Sequence, residues 1–339
     1  MAYTTIKKPS DYFNTKLYTG TGSSLGVTGV GFQPDLVWLK SRNTTYNHAL
    51  FDNVRGTGAY INSNTTNAEA STATSLSAFD SDGFTVVSDG FVNNSGTTFA
   101  SWNWLASNTT ASNTDGSITS TVSANTTSGF SIVSYTGTGS AGSFGHGLST
   151  PDIVLIKDRT DNGNSWYFHT TVIDGSQDYL TLENTNAKSD AASGYSIGTS
   201  VFNIGGGGSW VNVSSKNYVA YCFKEVKGFS KFGSYVGNGN ADGTFVYTGF
   251  KPAFVIQKNA SAVQGWQLQD NKRLGYNPNN YLLQPHDSAA ESALQRIDLL
   301  SNGFKVRTTD AGQNASGNTY IYMAFAEEPL VGDNPATAR

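Results

Sequence analysis

The stretch LYTGTGSSLGVTGVGFQPDLVWLK, residues 17–40, decides the fold because related copies of it return twice. The copies are SYTGTGSAGSFGHGLSTPDIVLIK, residues 134–157, and SYVGNGNADGTFVYTGFKPAFVIQK, residues 234–258. Each contains a tyrosine, a Gly-x-Gly pair, a second glycine-containing turn, a proline, and an apolar run that ends in lysine. The prolines are spaced roughly 100 residues apart, which is the length of a whole domain rather than of a solenoid repeat.

Two further anchors follow each copy in the same order. A phenylalanine follows each proline at a nearly constant distance, at Phe84, Phe202 and Phe304. A closing apolar run comes next, and it reads FASWNWLA, YVAYCFKE and YIYMAFAE in the three copies. Three anchors in one order, found three times, predict the tandem duplication of one domain.

The composition predicts an all-β chain. It contains 37 Gly, 19 Phe and 17 Tyr, and charged residues make up only 14%. Aromatic and Thr-rich segments punctuated by glycine are typical of strands and turns, and the aromatic content argues against disorder. The apolar runs, such as Leu36–Leu39, do not alternate with polar residues. We therefore expect two-layer β-sandwiches whose central strands are covered on both faces by loops, by the next repeat or by another subunit.

The anchors divide the chain into six segments. We predict an N-terminal arm that docks on a neighbour, with a frayed tail as the alternative, and a C-terminal tail that is ordered only if a partner holds it. Between the first and second repeats we predict a flexible Ser/Thr/Asn linker, which leaves the first repeat free to move. The second and third repeats are expected to form a tighter pair. The boundaries are 1–15 for the arm, 16–106 for repeat 1, 107–128 for the linker, 129–226 for repeat 2, 227–328 for repeat 3 and 329–339 for the tail.

Charge and cysteine content narrow the functional classes. The net charge of −4, with scattered Lys and Arg, predicts no nucleic-acid partner and no binding to anionic membranes. Cys222 is the single cysteine, so no intrachain disulfide forms, and we interpret it as a small buried residue. We read no signal peptide or membrane span in the sequence.

Four phrases resemble a repeated β-domain found in virion proteins of tailed bacteriophages, marine podoviruses included. They are YTGTGSSLGVTGVGFQPDLVWLKSRN, GFSIVSYTGTGSAGSFGHGL, YVAYCFKEVKGFSKFGSYVGNG and NTYIYMAFAEEP. The resemblance spans roughly residues 16–328 and implies three tandem domains of a jelly-roll or lectin-like sandwich type. The function of this family is poorly defined, so the resemblance carries over no catalytic residue.

The resemblance implies a structural protein of the virion, assembled in the bacterial cytoplasm. We expect a non-enzymatic, tail-fibre-like component that presents loops for host adhesion, contacts other virion proteins through its N-terminal arm, and forms a homo-oligomer, favouring a trimer. Three alternatives stay open: a capsid decoration or head-fibre protein, a carbohydrate-binding receptor protein, and a glycan depolymerase.

Signatures of catalysis are weak. Asp80, Asp82 and Asp89 form the one dense acidic group, and we interpret them as turn formers rather than as a glycosidase pair or a calcium loop. The four histidines lack metal-ligand spacing, and the run Gly205–Gly208 lacks the features of a phosphate-binding loop. The sequence therefore predicts no catalytic residue, no metal and no cofactor.

Aromatic residues beside amides and carboxylates are the better candidates for ligand contact. Sugar rings stack on aromatic faces, while Asn and Asp bind hydroxyl groups. This reasoning selects Trp166, Trp210 and Trp266 as possible glycan contacts. The competing interpretation of Trp166 and Trp266 is core packing, because they occupy equivalent repeat positions beside strand residues.

Overall fold

The computed structural model describes residues 4–206, 210–274, 277, 279–331 and 335–336, and the side chains of residues 279, 280 and 295 are not considered. Antiparallel strands account for nearly all its regular structure, which confirms the all-β prediction. Within these ranges the helical elements are a 3-10 turn at Pro9–Asp11 and a four-residue helix, α1 (Gly90–Asn93).

The strands fall into three successive modules. The first module contains β1 (Phe13–Thr19), β2 (Leu25–Thr28), β3 (Leu36–Ser41), β4 (Ala49–Asp52), β5 (Ala59–Tyr60), β6 (Ala70–Ser71), β7 (Leu76–Asp80), β8 (Gly83–Val86) and β9 (Thr98–Trp104). The second module contains β10 (Ala111–Asn113), β11 (Ser120–Asn125), β12 (Phe130–Thr136), β13 (Gly142–Gly145), β14 (Ile153–Asp158), β15 (Trp166–Thr170), β16 (Asp178–Thr181), β17 (Ser189–Asp190), β18 (Ser196–Ile197), β19 (Val201–Ile204) and β20 (Asn217–Phe223). The third module contains β21 (Ser230–Val236), β22 (Phe245–Tyr247), β23 (Phe250–Asn259), β24 (Gln267–Asp270), β25 (Asn279–Leu282), β26 (Ser292–Leu300), β27 (Gly303–Val306) and β28 (Thr319–Pro329).

One strand order recurs in all three modules. The main sheets contain the strand orders β1-β9-β3-β4, β12-β20-β14-β15 and β21-β28-β23-β24, and in each the last strand of the module lies between the strand of the repeated tyrosine and the strand of the repeated apolar run. A smaller sheet packs on one face of each main sheet, in the orders β2-β8-β7, β13-β19-β18 and β22-β27-β26-β25. Glycine is required where β8 and β27 begin, because a Cβ on Gly83 or Gly303 would overlap the carbonyl oxygen of the paired strand.

The other face of all three main sheets meets in one shared hydrophobic core. At its centre lie Trp104, Phe223 and Phe325, which are equivalent residues of β9, β20 and β28. Their ring centroids are separated by 6.3, 5.6 and 6.0 Å, so each ring contacts the other two. The apolar runs are therefore covered on both faces, on one by the small sheet and on the other by the neighbouring modules.

The shared core corrects the expected freedom of the first repeat. Trp104 of the first module contacts both the second and the third modules, so the second and third form no separate pair. Phe13 extends this contact, because its ring stacks on Phe325 at 5.1 Å. The three modules form one packed body.

The predicted linker is also corrected. Residues 107–128 contain β10 and β11, which extend the main sheet of the second module beyond β12. Ile118 and Val122 are buried in the sandwich core of that module. Small hydroxyl side chains can be buried here because they form hydrogen bonds within the chain. Ser120, for example, donates to the carbonyl of Gly145 at 3.0 Å. A Ser/Thr composition suits an edge strand as well as a tether, so composition alone misassigned the segment.

The predicted N-terminal arm docks on its own chain rather than on a neighbour. Ile6 is buried in the shared core, Tyr12 contacts Phe229 of the third module at 6.0 Å, and β1 already begins at Phe13. Of the predicted C-terminal tail, Pro329 ends β28 and its carbonyl accepts from the amide of Ala336 at 2.9 Å. Residues 1–3, 332–334 and 337–339 lie outside the described residues.

Ion pairs of Asp, Glu and Arg side chains bridge two of the three joints between modules. At the first joint, between the first and second modules, Asp52 pairs with Arg55 and accepts a hydrogen bond from Tyr221 at 2.7 Å. Glu69 then binds both Arg55, at 3.1 Å, and Arg159 of the second module, at 2.8 Å.

The third joint, between the third and first modules, repeats this arrangement. Asp270 pairs with Arg273 and accepts from the indole of Trp102 at 3.0 Å. Glu291 binds Arg273 at 3.1 Å and Arg42 of the first module at 2.9 Å.

The second joint, between the second and third modules, lacks these ion pairs because its residues differ. Thr170 and Ile173 occupy the positions of the Asp–Arg pair, and Lys188 and Ala260 occupy those of the bridging Glu and Arg. The backbone contact is kept, since the amide of Lys188 donates to the carbonyl of Ala260 at 2.9 Å. The joints therefore share one geometry but not one chemistry.

Replacing Arg55 tests the first joint. Both side chains of the Asp52–Arg55 pair are fully buried, so Arg55→Ile leaves an uncompensated carboxylate and is expected to lower the free energy of unfolding by about 3–5 kcal/mol. The double variant Asp52→Thr/Arg55→Ile reproduces the pair Thr170/Ile173 and is expected to lose less. Guanidinium unfolding measures both. A double variant less stable than the single one would contradict the proposed cost of the isolated charge.

Candidate functional site

Two of the three tryptophans selected from the sequence are core residues. Trp166 and Trp266 are fully buried in the shared core. Their indole N–H groups donate across joints, to the carbonyl of Asn62 at 2.8 Å and to that of Thr181 at 2.9 Å. They are closed to any ligand in the folded chain, which corrects their selection as glycan contacts. Alternate residues of β15 and β24 face the shared core, and both tryptophans lie on that face.

Trp210 is the exposed member of the set. Its side chain is 58% exposed, and its ring lies parallel to that of Tyr167, with 5.6 Å between centroids and an interplanar angle of 2°. The two rings form one wall of an open cavity of about 400 Å³ in the second module. This volume lies within the range of small-molecule sites.

Aromatic side chains dominate the lining of this cavity, which we call the aromatic pocket. Tyr167 and His169 come from β15, Tyr179 from β16, and Tyr195 from the segment that follows β17. The His169 ring stacks on Tyr195 at 5.5 Å and 9°, and it lies 6.0 Å from Tyr179, its direct cross-strand partner. The rings therefore form one continuous lining rather than separate contacts.

His169 places an unsatisfied polar group at the buried side of the pocket. The residue is 3% exposed, and neither ring nitrogen has a hydrogen-bond partner among the described residues. Burial lowers the pKa of His169 to about 3, so the imidazole is neutral at ordinary pH. A neutral imidazole offers one donor and one acceptor. Buried polar groups without partners are rare in folded chains, and the partner of one that lines a cavity is a water molecule or a ligand.

One carboxylate at the rim of the pocket belongs to a small cluster of charged side chains. Asp190 lines the rim, its side chain is 84% exposed, and it binds Lys188 at 3.1 Å. Lys188 also binds Asp174 at 2.7 Å and Asp178 at 2.8 Å. One ammonium group thus faces three carboxylates, and the cluster carries a net negative charge. The hydrogen bond from Lys188 holds the pKa of Asp174 well below its usual range, so this carboxylate is ionised.

The sequence analysis missed Tyr167, His169, Tyr179 and Tyr195. The sequence did contain a signal for two of them, because side chains alternate between the two faces along the strand WYFHT. Trp166 and Phe168 face the shared core, so Tyr167 and His169 face the opposite side. The equivalent positions are Ala49 and Phe51 in the first module and Gln267 and Gln269 in the third, and all four are buried. The second module alone carries Tyr and His there, and its small sheet leaves them open to a cavity.

The acidic group 80–89 behaves as turn structure. Asp82 accepts hydrogen bonds from the amides of Gly29 and Gly31, at 3.0 and 2.7 Å, which pins the β2 turn. Asp80 accepts from Thr85, and Asp89 accepts from Thr74. Of the run 205–208, residues 207 and 208 lie outside the described residues. Cys222 is fully buried, as predicted, and burial raises its pKa to about 12.

Within the described ranges, no group of three or more His, Cys, Asp and Glu side chains is arranged to hold a metal ion. Nor does any helix in that part of the chain have the length and apolar character needed to cross a lipid bilayer.

Three buried lysines end the equivalent strands β3, β14 and β23. Lys40, Lys157 and Lys258 are fully buried, and their ammonium groups donate to backbone carbonyls. Lys157 and Lys258 also reach across joints, to the carbonyls of Thr66 and Thr185, both at 3.3 Å. Burial lowers the pKa to about 7 for Lys258 and to about 8 for the other two. Their contacts are with backbone groups, so we interpret them as structural.

Together the fold and the pocket define an all-β protein of three fused sandwiches that carries a ligand-sized aromatic pocket on its second module. The chain matches the family described as "Domain of unknown function (DUF7483)" over residues 8–329, and it belongs to that family. Comparison with curated proteins gives no match, and comparison with solved structures gives none either.

The buried lysines predict a pH-dependent stability. Between the lowered pKa of Lys258 and the ordinary value of about 10.4, the unfolded chain binds a proton that the folded chain does not, so stability rises with pH. From pH 7 to 9.5 the unfolding free energy of Lys258→Met should rise less steeply than that of the wild type, by at most about 1.4 kcal/mol per pH unit. In Lys157→Met the flattening should begin about one pH unit higher.

Urea unfolding across this range measures both slopes. The range stops below pH 10 because burial raises the pKa of Tyr135 and Tyr235 well above 10. Above pH 10 these tyrosines lose their protons in the unfolded chain but not in the folded chain, so they lower the unfolding free energy as the pH rises. Equal slopes in the wild type and in Lys258→Met would show that Lys258 stays protonated in the folded chain.

Proposed function

We propose that the chain is a structural protein of a tailed-bacteriophage particle and that it serves as a tail-fibre-like adhesive component without catalysis. Two lines support the proposal. The sequence phrases around residues 18–43 and 218–239 resemble the repeated β-domain of phage virion proteins. The architecture suits a part that must stay rigid while it presents loops.

The observation that carries the proposal is the shared aromatic core. Because Trp104, Phe223 and Phe325 pack on one another, the three modules form one body and cannot swing independently. The main sheets point inward and the small sheets and their loops point outward. A rigid scaffold with outward loops is the usual arrangement of a binding surface.

The aromatic pocket supports adhesion rather than cleavage. A glycosidase needs two carboxyl groups on opposite sides of the bond that it breaks. Among the described residues that line the pocket, Asp190 is the one carboxylate. We therefore extend the proposal to ligand contact and not to depolymerase activity.

Capsid decoration is the second candidate, and the arrangement of the modules favours it. Three equivalent residues meet at the centre of the shared core, so the chain presents three similar faces around one axis. Such a chain matches a threefold position on a capsid facet. Sugar binding by a receptor protein remains compatible with either location.

The homotrimer expected from the sequence stays a prediction, but the structure leaves different surfaces of the chain to form its interface. The apolar faces of the main sheets, which were expected to be covered by loops, by the next repeat or by another subunit, pack against the other repeats of the same chain. Residues 4–12 of the expected attachment arm are likewise engaged by the third module. Contacts with other virion proteins must then use the small sheets and the loops.

Location on the particle tests the proposal. Cryo-electron microscopy of intact particles is expected to place density for this compact body on the tail, with the second module facing outward. In a parallel assay the purified chain should compete with particles for host cells. Density on the capsid shell would support decoration instead. Absence from purified particles, checked by mass spectrometry, would overturn the virion assignment.

A further inference from the structure

We propose that the aromatic pocket of the second module binds one neutral pyranose ring of a glycan, with Trp210 and Tyr167 as the stacking wall and His169 as the buried hydrogen-bonding group. The biological meaning of this site rests on the adhesive role proposed above, whereas the binding itself follows from the pocket.

The wall is built for a flat ligand. The rings of Trp210 and Tyr167 are parallel and stacked, so Tyr167 supports one face of the Trp210 ring, and the 58% exposure of Trp210 leaves its other face open to a ligand. The C–H groups on one side of a pyranose carry partial positive charge, and the face of an aromatic ring is negative. A sugar face therefore stacks on this wall and removes apolar surface from water.

The floor of the pocket supplies the directional bonds. His169 has an unmet donor and an unmet acceptor, and both ring nitrogens are closed to solvent, so a sugar hydroxyl reaches them once a neighbouring ring, such as that of Tyr195, moves aside. A sugar hydroxyl is itself a donor and an acceptor, so one or two hydroxyls can satisfy both ring nitrogens. Ser193 and Asp190 line the rim, where a carboxylate can accept from further hydroxyls.

Charge selects a neutral sugar over an acidic one. The cluster of Asp174, Asp178 and Asp190 around Lys188 makes the rim negative, and among the described residues no Lys or Arg lines the pocket. A carboxylated or sulfated sugar would be repelled. We therefore exclude acidic glycans from the proposal.

The alternative ligand for an aromatic site is a quaternary ammonium group, which needs ring faces on several sides. Here the rings of Trp210 and Tyr167 pack on each other, as do those of His169 and Tyr195. They form a continuous surface instead of separate walls around a point. Asp190, moreover, already binds an ammonium group, that of Lys188. The geometry favours a flat, uncharged and hydroxylated ligand.

The test is a titration of the purified full chain, followed by NMR of the histidine rings. The probes are the methyl glycosides of glucose, galactose, mannose and N-acetylglucosamine, each up to about 100 mM, because millimolar dissociation constants are expected for single sugars. Tetramethylammonium chloride is the competing probe. The chain has four histidines, so His169→Gln identifies the His169 signal by its loss.

We expect at least one glycoside to shift the His169 signal saturably and Trp210→Ala to weaken that binding at least tenfold. Val263→Ala removes a side chain that is 65% exposed in the third module and should leave the affinity unchanged. Trp210→Phe keeps a stacking face and should retain part of it. Because Trp210 is exposed, its replacement is expected to leave the fold intact, which the unfolding transition checks.

Three results would overturn the inference: no saturable shift with any of the glycosides, equal binding in Trp210→Ala, or a saturable shift with tetramethylammonium alone. None of these would alter where the chain lies on a particle. Conversely, a chain that binds a glycoside but is absent from particles would overturn the virion proposal and leave the pocket assignment standing.

Discussion

The mutual contact of Trp104, Phe223 and Phe325 is the constraint on which the rest of the structure depends. Each ring belongs to the last strand of a different module, and each faces away from the sandwich core of its own module. A module alone would expose this face to water, so the three stabilise one another by burying it. Fusion in one chain keeps the partners at high effective concentration. The N-terminal segment adds Phe13 to the same cluster.

The joints around this core show how one geometry tolerates different chemistry. Two joints bury an Asp–Arg pair that a Glu and a second Arg extend, while the joint at Ile173 and Ala260 has none of these charges. Charges buried in this way add little net stability, because their desolvation offsets most of the attraction. Lys188 occupies the position of the bridging Glu, but within the described part of the chain it forms no ion pair across the joint. Its ammonium group instead binds three aspartates, one of which lines the aromatic pocket.

The pocket is thus a consequence of divergence between otherwise similar modules. Where the first module has Phe51 and the third has Gln269, the second has His169, and Tyr179 lies opposite it on the next strand. These side chains lie on the sandwich face of the main sheet, yet in the second module an open cavity lies over them. The three modules share the strand order of the main sheet. The residues that differ on its sandwich face give the second module a pocket that, in the residues the structure describes, the equivalent positions of the other two modules do not form.

Sequence pattern alone determined the all-β class, the strands that carry the repeated anchors, the burial of Cys222 and the turn role of Asp82, because periodicity and turn chemistry are local properties. It did not determine the linker, where strands β10 and β11 form only because the edge of β12 is there to pair with. It selected three tryptophans and gave core packing as the competing interpretation for Trp166 and Trp266, and the tertiary structure buried these two in joints while leaving Trp210 exposed. Which face of a strand meets another module, and which meets solvent, depends on residues far apart in the chain, so only the packed structure decides where a ligand can enter.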